Sequence, residues 1–561
     1  MQTCSLLKNE RDIFRPNSDD AYNVYVFSTL SLPSLCGFRF RSSRGSPLNY
    51  GKGSGNVHTI DALDRFRALK YGMFMHNGPV TQWGTEISFP LVCTSFPCSP
   101  KGPGNVDVNI STPQELKAHR EKYAALSKTW NPSRFNATDI AIKAKAAGFK
   151  YLVYTTVHCD GFANWPSNVT AYNVMNTPFG RDLYGELVDA LRAHGLLVGA
   201  YVCPSLWNND DYWAPDASTA NGPVCAPNYN ITAEPDRWGK YVQTMHGMVQ
   251  ELVERYAPDL FWIDCNNAPP NTDTRIEALL AGIRNANSGA LVMTRNGVFS
   301  DYVDLTDQSE ANVKAIMGQA AIRSGVVFEV GTVLQESKQW AFDPNSLQKD
   351  PSQILANLMM IAAKGGNYLV NVAPGPTGEW PPSALRVLEE MHEWMDANHE
   401  AFGNATSPMY PYECVNGECF LLQNDEKHVV YVLVPSMSPG KTTCDRTRGT
   451  PTGKSVASTT IIDNKSDYEG SGNRERPSTS THAVMKSEGM MKLPMFRTDL
   501  LDYKLTHASI LGLASSAVSY DFLVEGLVLR WDTTPQDPSP WTKNGFVIKL
   551  QFAPRRSDGE L

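Results

Sequence analysis

The sequence predicts an α/β chain: a (β/α)8-like, TIM-type barrel followed by a C-terminal β-sandwich domain. Three observations carry that reading. Short, fully apolar runs alternate with amphipathic segments from about residue 60 to 400, the pattern of parallel strands buried on both faces by crossover helices. About seven such units fill that stretch, which suits a closed barrel better than an open nucleotide-binding sheet, and no GxGxxG opens the first unit. Beyond residue 408 the helical period disappears and strand-like runs take over.

In order, residues 1–58 show no sustained period and are rich in Ser, Gly and Arg, so they read as a poorly structured leader. Residues 59–405 form the barrel. Its expected strands are YGMFMHNG (71–78), YLVYTT (151–156), LLVGAYVC (196–203), LFWID (260–264), LVMTR (291–295), VVFEV (326–330) and YLVNV (368–372). Amphipathic stretches such as DIAIKAKAAG, RDLYGELVDALRAHG and KYVQTMHGMVQELVERY supply the helices between them. Residues 406–561 read as a β-sandwich-like domain, with strands in FLLQN, HVVYVLVP, ASILGLA, AVSYDFLVEGLVLRWD and GFVIKLQF. Residues 436–495 are rich in Ser, Thr, Gly and Lys and read as a disordered insertion within it.

Composition narrows the partners. The 561 residues carry 50 basic and 58 acidic side chains, a net charge of −8, and no basic run, so nucleic acid is not expected as a partner. No uninterrupted apolar run is long enough to span a bilayer, so no membrane partner is expected. Oligomeric state is not legible. Of eleven cysteines, Cys93/Cys98 and Cys414/Cys419 are close enough to pair across tight loops. Cys159 and Cys265 read as inert core thiols. Glycosylation sequons at Asn109, Asn136, Asn168, Asn230, Asn404 and Asn464 lean towards an extracellular, secreted protein, although no clear signal peptide is visible at the N-terminus.

In a barrel, chemistry gathers at the C-terminal ends of the strands. Those ends here carry His76, the nearby Trp83 and Glu86, then His158 with Asp160, then Tyr201. Asp264 preceded by Trp262 follows, then Arg295, Glu329 and Asn371. Glu310 lies in the segment SDYVDLTDQSEANVK, read as a loop. His76, His158, Asp160 and Asp264 could ligate a metal, but the first strand lacks the His-x-His pair usual in mononuclear barrel hydrolases, so no metal and no other cofactor is expected. No GxSxG elbow suggests a serine nucleophile. Two carboxylates amid Trp, His and Arg suit a sugar instead. Glycoside hydrolysis needs one carboxylate to attack or activate water and another to protonate the leaving oxygen. Asp264 on a rigid strand fits the nucleophile, and Glu310 on a loop fits the acid/base. Arg295 fits either a sugar hydroxyl or a buried ion pair. Asp160 reads as a structural hydrogen-bonder.

From about residue 60 to 405 the chain resembles the α-L-fucosidases of glycoside hydrolase family 29. The resemblance is carried by KYGMFMHNGPVTQWGTE, the long stretch from AKAAGFKYLVYTTVHCDGF to LLVGAYV, LFWIDCN, and GGNYLVNVAPGPTGEWPP. It implies a barrel followed by a β-sandwich, a fucosylated oligosaccharide or glycoconjugate as substrate, and a covalent fucosyl-enzyme on Asp264. It implies an acid/base some forty-odd residues further on, where Glu310 stands, with Glu329 as its rival. Sugar contacts are implied for His76, Trp83, Glu86, His158, Tyr201, Trp262 and Arg295, and for Trp340 against the fucose methyl. The chain departs from the family pattern at Asn77, Ile87 and Cys159, the last standing where the family usually has a second histidine. A catalytically silent fucose-binding barrel, or a barrel glycosidase acting on another sugar, are the alternatives.

Overall fold

The computed structural model describes residues 57–214, 226–264, 276–295, 300–306, 327–413, 419–436, 487–493, 503–513, 518–523, 526–533 and 544–554. Eight parallel strands form the barrel sheet. They are β1 (Tyr71–Met75), β2 (Tyr151–Val157), β3 (Leu197–Val202), β4 (Leu260–Ile263), β5 (Leu291–Thr294), β6 (Val303–Asp304), β7 (Phe328–Val333) and β8 (Asn367–Asn371). Their order is β5-β4-β3-β2-β1-β8-β7-β6, so the barrel closes everywhere except between β5 and β6. There the chain bridges locally: Asp301 accepts from the Val292 N–H at 2.7 Å and Ser300 Oγ from the Thr294 N–H at 2.7 Å. Seven strands fall on the seven apolar runs, within a residue or two at most ends. β6 is a difference: two residues of a segment read as loop pair with β7, Asp304 lying opposite Glu329. A two-residue strand carrying an aspartate gives no hydrophobic period to detect.

The helices are α1 (Val57–Leu69), α2 (Pro113–Ala124), α3 (Ala137–Ala146), α4 (Leu183–Ala193), α5 (Pro235–Tyr256), α6 (Ile276–Ala286), α7 (Pro351–Ala363) and α8 (Pro382–Asn398). Their starts follow local chemistry. Thr112 and Glu115 form a capping box on α2, while Asn136, Asp182 and Asp350 accept N-terminal N–H groups of α3, α4 and α7. Their stops do too. Gly148, Gly195 and Gly365 each follow the last turn with positive φ, the left-handed conformation that ends a helix and sends the chain into the next strand. Among the described residues no helix is long and apolar enough to cross a membrane.

The barrel is filled with rings. Phe66 at the end of α1 plugs its N-terminal end, 4.5 Å from the Tyr302 ring and 5.5 Å from Tyr151. The large interior tyrosine is accommodated by a gap on the next strand: a Cβ on Gly72 would sit 2.1 Å from the Tyr151 ring.

After α8 the chain forms two antiparallel sheets. One contains β9 (Ser407–Glu413), β10 (Phe420–Asn424), β11 (Val429–Val434), β13 (Tyr503–Ile510) and β16 (Phe546–Pro554). The other contains β12 (Ser487–Leu493), β14 (Val518–Leu523) and β15 (Gly526–Thr533). Leu421, Val430, Val432, Ile548 and Leu550 face the small sheet's Met491, Leu493, Leu527 and Leu529. Their alternates Phe420, Leu422, Val429, Tyr431, Leu433 and Val547 join the barrel's core instead. The five-stranded sheet is thus buried on both faces, which is why HVVYVLVP is apolar throughout rather than alternating. One expectation is corrected here. The end of the 436–495 stretch is not insertion but β12, in register with β15. Met491 and Leu493 are buried, but SEGMMKL holds too few apolar residues to stand out in a polar tract. Residues 437–486 and 1–56 lie outside the described residues.

Gly72→Ala is expected to lower stability by about 1–3 kcal/mol through overpacking against Tyr151. Thermal melts of the two proteins check it, and an unchanged midpoint would contradict this account of the interior.

Candidate active site

Each strand of the barrel's closed arc delivers a polar or aromatic side chain to one end. On β4, Trp262 and Asp264 share the interior face, two residues apart, while Phe261 and Ile263 pack outward. Asp264 stands where the strand stops, with 16% of its side chain accessible. Tyr201 of β3 donates its hydroxyl to Asp264 Oδ2 at 2.8 Å. Arg295, just past β5, places Nη1 3.4 Å from Asp264 Oδ1. Its guanidinium also lies 5.0 Å above the Trp262 ring. One carboxylate at the mouth of a dry barrel is thereby held by a phenol and a cation.

The two histidines are each held through Nδ1. His76 ends β1 and sets Nδ1 2.9 Å from Asn371 Oδ1, while the Asn371 amide donates to the Trp340 carbonyl at 2.7 Å. That network assigns the proton to Nδ1 and leaves Nε2 as an acceptor. His158 follows β2, with Nδ1 2.7 Å from Ser88 Oγ. Ser88 Oγ also accepts from the Asp160 N–H at 2.8 Å, so Ser88 ties His158 to the turn that follows β2. Burial pushes the His76 imidazolium down to about 4 and the His158 one well below the usual range, so both rings are neutral near pH 7. Each neutral ring offers a nitrogen that can hydrogen-bond a hydroxyl group.

Rings complete the wall. Tyr201 stacks between His158 at 5.3 Å and Trp262 at 5.6 Å, and Trp340 leans on His76 at 5.3 Å and Phe74 at 5.7 Å. Trp340 is half-buried, whereas Trp262 is fully buried and forms the floor rather than the wall. Glu86 is occupied by backbone: Oε2 accepts from the Trp340 N–H at 2.6 Å and Oε1 from Ala341 at 3.1 Å and Ile87 at 2.8 Å. It fixes the loop that carries Trp340. Trp83 is placed elsewhere, its ring packed 5.5 Å from His119 and 5.7 Å from Tyr123 on α2. Six expected residues, His76, His158, Tyr201, Asp264, Arg295 and Trp340, therefore meet in one cluster. Trp262 and Glu86 support it, and Trp83 stands behind it. Glu310 lies outside the described residues, as does Cys265.

Glu329 cannot serve as a surface acid. It is the second residue of β7, low in the barrel and fully buried, bonded to Tyr151 Oη at 2.5 Å and Trp262 Nε1 at 3.1 Å. Burial raises its carboxyl to about 8. Asp160 is likewise structural, accepting from Tyr123 Oη at 2.9 Å and the Phe162 N–H at 3.1 Å. Three supporting residues escaped the sequence reading. Ser88 adopts the left-handed region (φ 62°) without being glycine, a strain of the kind found beside functional groups, and no sequence pattern announces it. Asn371 was seen at a strand end but its bond to His76 was not. Asp304 hid in the unseen strand.

Cys159 is corrected from an inert thiol to one half of a disulfide with Cys203. β2 and β3 are neighbours, so their ends bring the two Cα atoms within 5.1 Å despite a separation of 44 residues. The Cys93–Cys98 pairing is present. Cys419 is disulfide-bonded, and Cys414 lies outside the described residues. Among the described residues no three His, Cys, Asp or Glu side chains converge as a metal-binding group.

Comparison with known proteins places these features in a family. Residues 42–400 match the family model described as Alpha-L-fucosidase. The chain is similar to the tissue alpha-L-fucosidase of Macaca fascicularis, 26% identical over 348 residues that cover 60% of this chain and 68% of that one. It is also similar to that of Bos taurus, 27% identical over 292 residues, 50% of this chain and 57% of that one. The match thus spans little more than half of the bovine relative. Among solved structures, an alpha-L-fucosidase GH29 from Bacteroides thetaiotaomicron superposes with a TM-score of 0.62, at 19% identity, covering 92% of this chain and all of that one. Isoenzyme 1 from Paenibacillus thiaminolyticus gives 0.60 at 20% identity, over 89% and 100%. At these identities the structural likeness establishes the barrel-plus-sandwich fold.

His76 binds protons more weakly folded than unfolded, so its share of stability is present above pH 6.5 and lost as pH falls towards 4. Between pH 7 and pH 5 this amounts to about 2 kcal/mol. Urea unfolding at the two pH values should show that loss in the wild type and a smaller one in His76→Gln; equal losses would contradict a neutral His76.

Proposed function

The chain belongs to the alpha-L-fucosidase family, and from that premise we propose that it is a retaining exo-α-L-fucosidase acting on terminal α-L-fucosides of glycans. The observation that carries the reading is Asp264 at the end of β4, oriented by Tyr201 and Arg295 inside a wall of His76, His158 and Trp340. A deoxy sugar has one apolar corner and several hydroxyls. Trp340 offers the apolar face, and the two neutral histidines offer hydrogen-bonding ring nitrogens.

In the first half-reaction an Asp264 oxygen bonds to the anomeric carbon as the glycosidic C–O bond breaks, and Glu310 gives its proton to the leaving oxygen. In the second, Glu310 takes a proton from water, whose oxygen attacks the same carbon and releases Asp264 and L-fucose. Two inversions leave the configuration unchanged. Tyr201 and Arg295 hold the carboxylate in place between turnovers, which is preorganisation rather than chemistry.

A secretory route fits the same chain. The five sequon asparagines among the described residues, Asn109, Asn136, Asn168, Asn230 and Asn404, are all exposed, and the disulfides suit an oxidising compartment.

Wild type should hydrolyse an aryl α-L-fucoside, and Asp264→Ala should lose on the order of 10⁴-fold in kcat. Binding of fucose without turnover would point instead to a silent binding barrel, and turnover of another aryl glycoside in preference to the fucoside would point to another sugar. Glu310→Ala should lower kcat/KM for a poor leaving group by about 10²–10⁴-fold while sparing that for an activated aryl leaving group, and azide should speed breakdown of the fucosyl-enzyme, giving the α-fucosyl azide. Equal loss on both substrates would remove Glu310 from the acid/base role.

A further inference from the structure

Beneath the nucleophile lies a second carboxylate that no step above uses. Asp304 ends β6, with 5% of its side chain accessible, and its Oδ2 is 3.3 Å from Arg295 Nε. Its Oδ1 accepts from the Thr306 N–H at 2.9 Å. Thr306 Oγ1 in turn accepts from the Gly331 N–H at 2.8 Å, and a Cβ on Gly331 would sit 2.1 Å from that oxygen. β6 is thus clamped to β7, and Asp304 has little freedom to move. Arg295 spans the two carboxylates, giving Nη1 to Asp264 and Nε to Asp304.

We infer that Asp304 is a positioning residue for the nucleophile: it draws Arg295 inward and shares its charge, so that Asp264 is held without being overbound. The inference rests on the reading of Asp264 as the fucosyl-accepting carboxylate. A guanidinium engaged with Asp264 alone would favour the ionised carboxylate so strongly that it would weaken its attack on carbon. A guanidinium pulled equally from below leaves lone-pair density available to the sugar. The arrangement needs the second anion to be dry and fixed, since a solvated one would be screened.

The groups facing Asp304 are consistent with that role. Arg295 approaches from the end of β5, Asp264 from the end of β4, Glu329 from β7 and Tyr302 from two residues earlier in the chain. Burial raises the Asp304 carboxyl, while Arg295 and the Thr306 hydrogen bonds act the other way. Glu329, raised to about 8, is neutral near pH 7 and does not compete for the cation.

The test compares wild type, Asp304→Asn and Asp304→Ser, the two neutral variants guarding against one failing to fold. Each is first checked by its melting temperature. The probe is 2-fluoro-fucosyl fluoride, with covalent labelling followed by intact mass across pH 4–8. Outer contacts to a reacting group are worth about 10–100-fold, so the labelling rate should fall by about that factor in the neutral variants. The acid limb of the rate profile should move to lower pH, because Arg295 then faces Asp264 undivided. Arg295→Lys should show a loss that does not add to that of Asp304→Asn. If wild type labels, and a folded neutral variant keeps the wild-type acid limb or adds fully to Arg295→Lys, Asp304 is structural and the inference fails. If wild type itself forms no adduct on Asp264, the nucleophile reading fails first.

Discussion

A carboxylate kept ionised where little water reaches it needs a counter-charge and a hydrogen bond. The Asp264–Arg295 contact, with the Tyr201 hydroxyl beside it, supplies both, and much of the barrel's interior is arranged around that requirement. Arg295 must lie flat to reach two acids, and the Trp262 face beneath it gives it a surface to lie on. Trp262 is kept in place by stacking on Tyr201 and by its indole N–H on Glu329. Glu329 is tied to the Tyr151 hydroxyl, whose ring occupies the space that Gly72 leaves open. The chain of contacts thus runs from the barrel's plugged end to its reactive one.

A second line of support runs across the mouth. Glu86 anchors the turn on which Trp340 rides, so that the apolar wall is fixed by a carboxylate 254 residues earlier in the chain. Asn371 joins that wall to His76, and Ser88 joins the opposite rim to His158. Each histidine is therefore held through Nδ1 by a residue on a different strand or loop. Hydroxyl recognition depends on sheet order as much as on the histidines themselves.

The sequence carried some of this plainly and some not at all. Seven barrel strands were legible because burial on both faces makes them apolar without interruption, and FLLQN coincides with β10 for the same reason. Asp264 stood out only in its setting: alone, an Asp ending an apolar strand reads as a turn-former, and the His, Trp and Arg residues at the neighbouring strand ends drew attention to it. β6 was illegible because two residues have no period, and with it went Asp304. The Cys159–Cys203 bond was illegible because adjacency of β2 and β3 ends is a property of the sheet, not of spacing. Trp83 carried the right composition for a sugar wall, yet packing against α2 claimed its ring. Arg295 was open between two roles, and the ion pair with Asp264 is the one its position displays.

The five-stranded sheet that serves two cores has a consequence for how the molecule can be divided. Leu422, Val429, Tyr431 and Val547 belong to the core that packs on the barrel's outer helices, and the Trp394 indole donates to the Gly545 carbonyl at 2.9 Å across the junction. Lys549 and Tyr431 meet on Glu400 beside it, at 2.6 and 2.9 Å. A shortened chain ending after α8 would present the outer faces of α7 and α8 as a raw apolar scar. The barrel is not a transplantable cassette; its last wall is written in the final hundred and fifty residues of the chain.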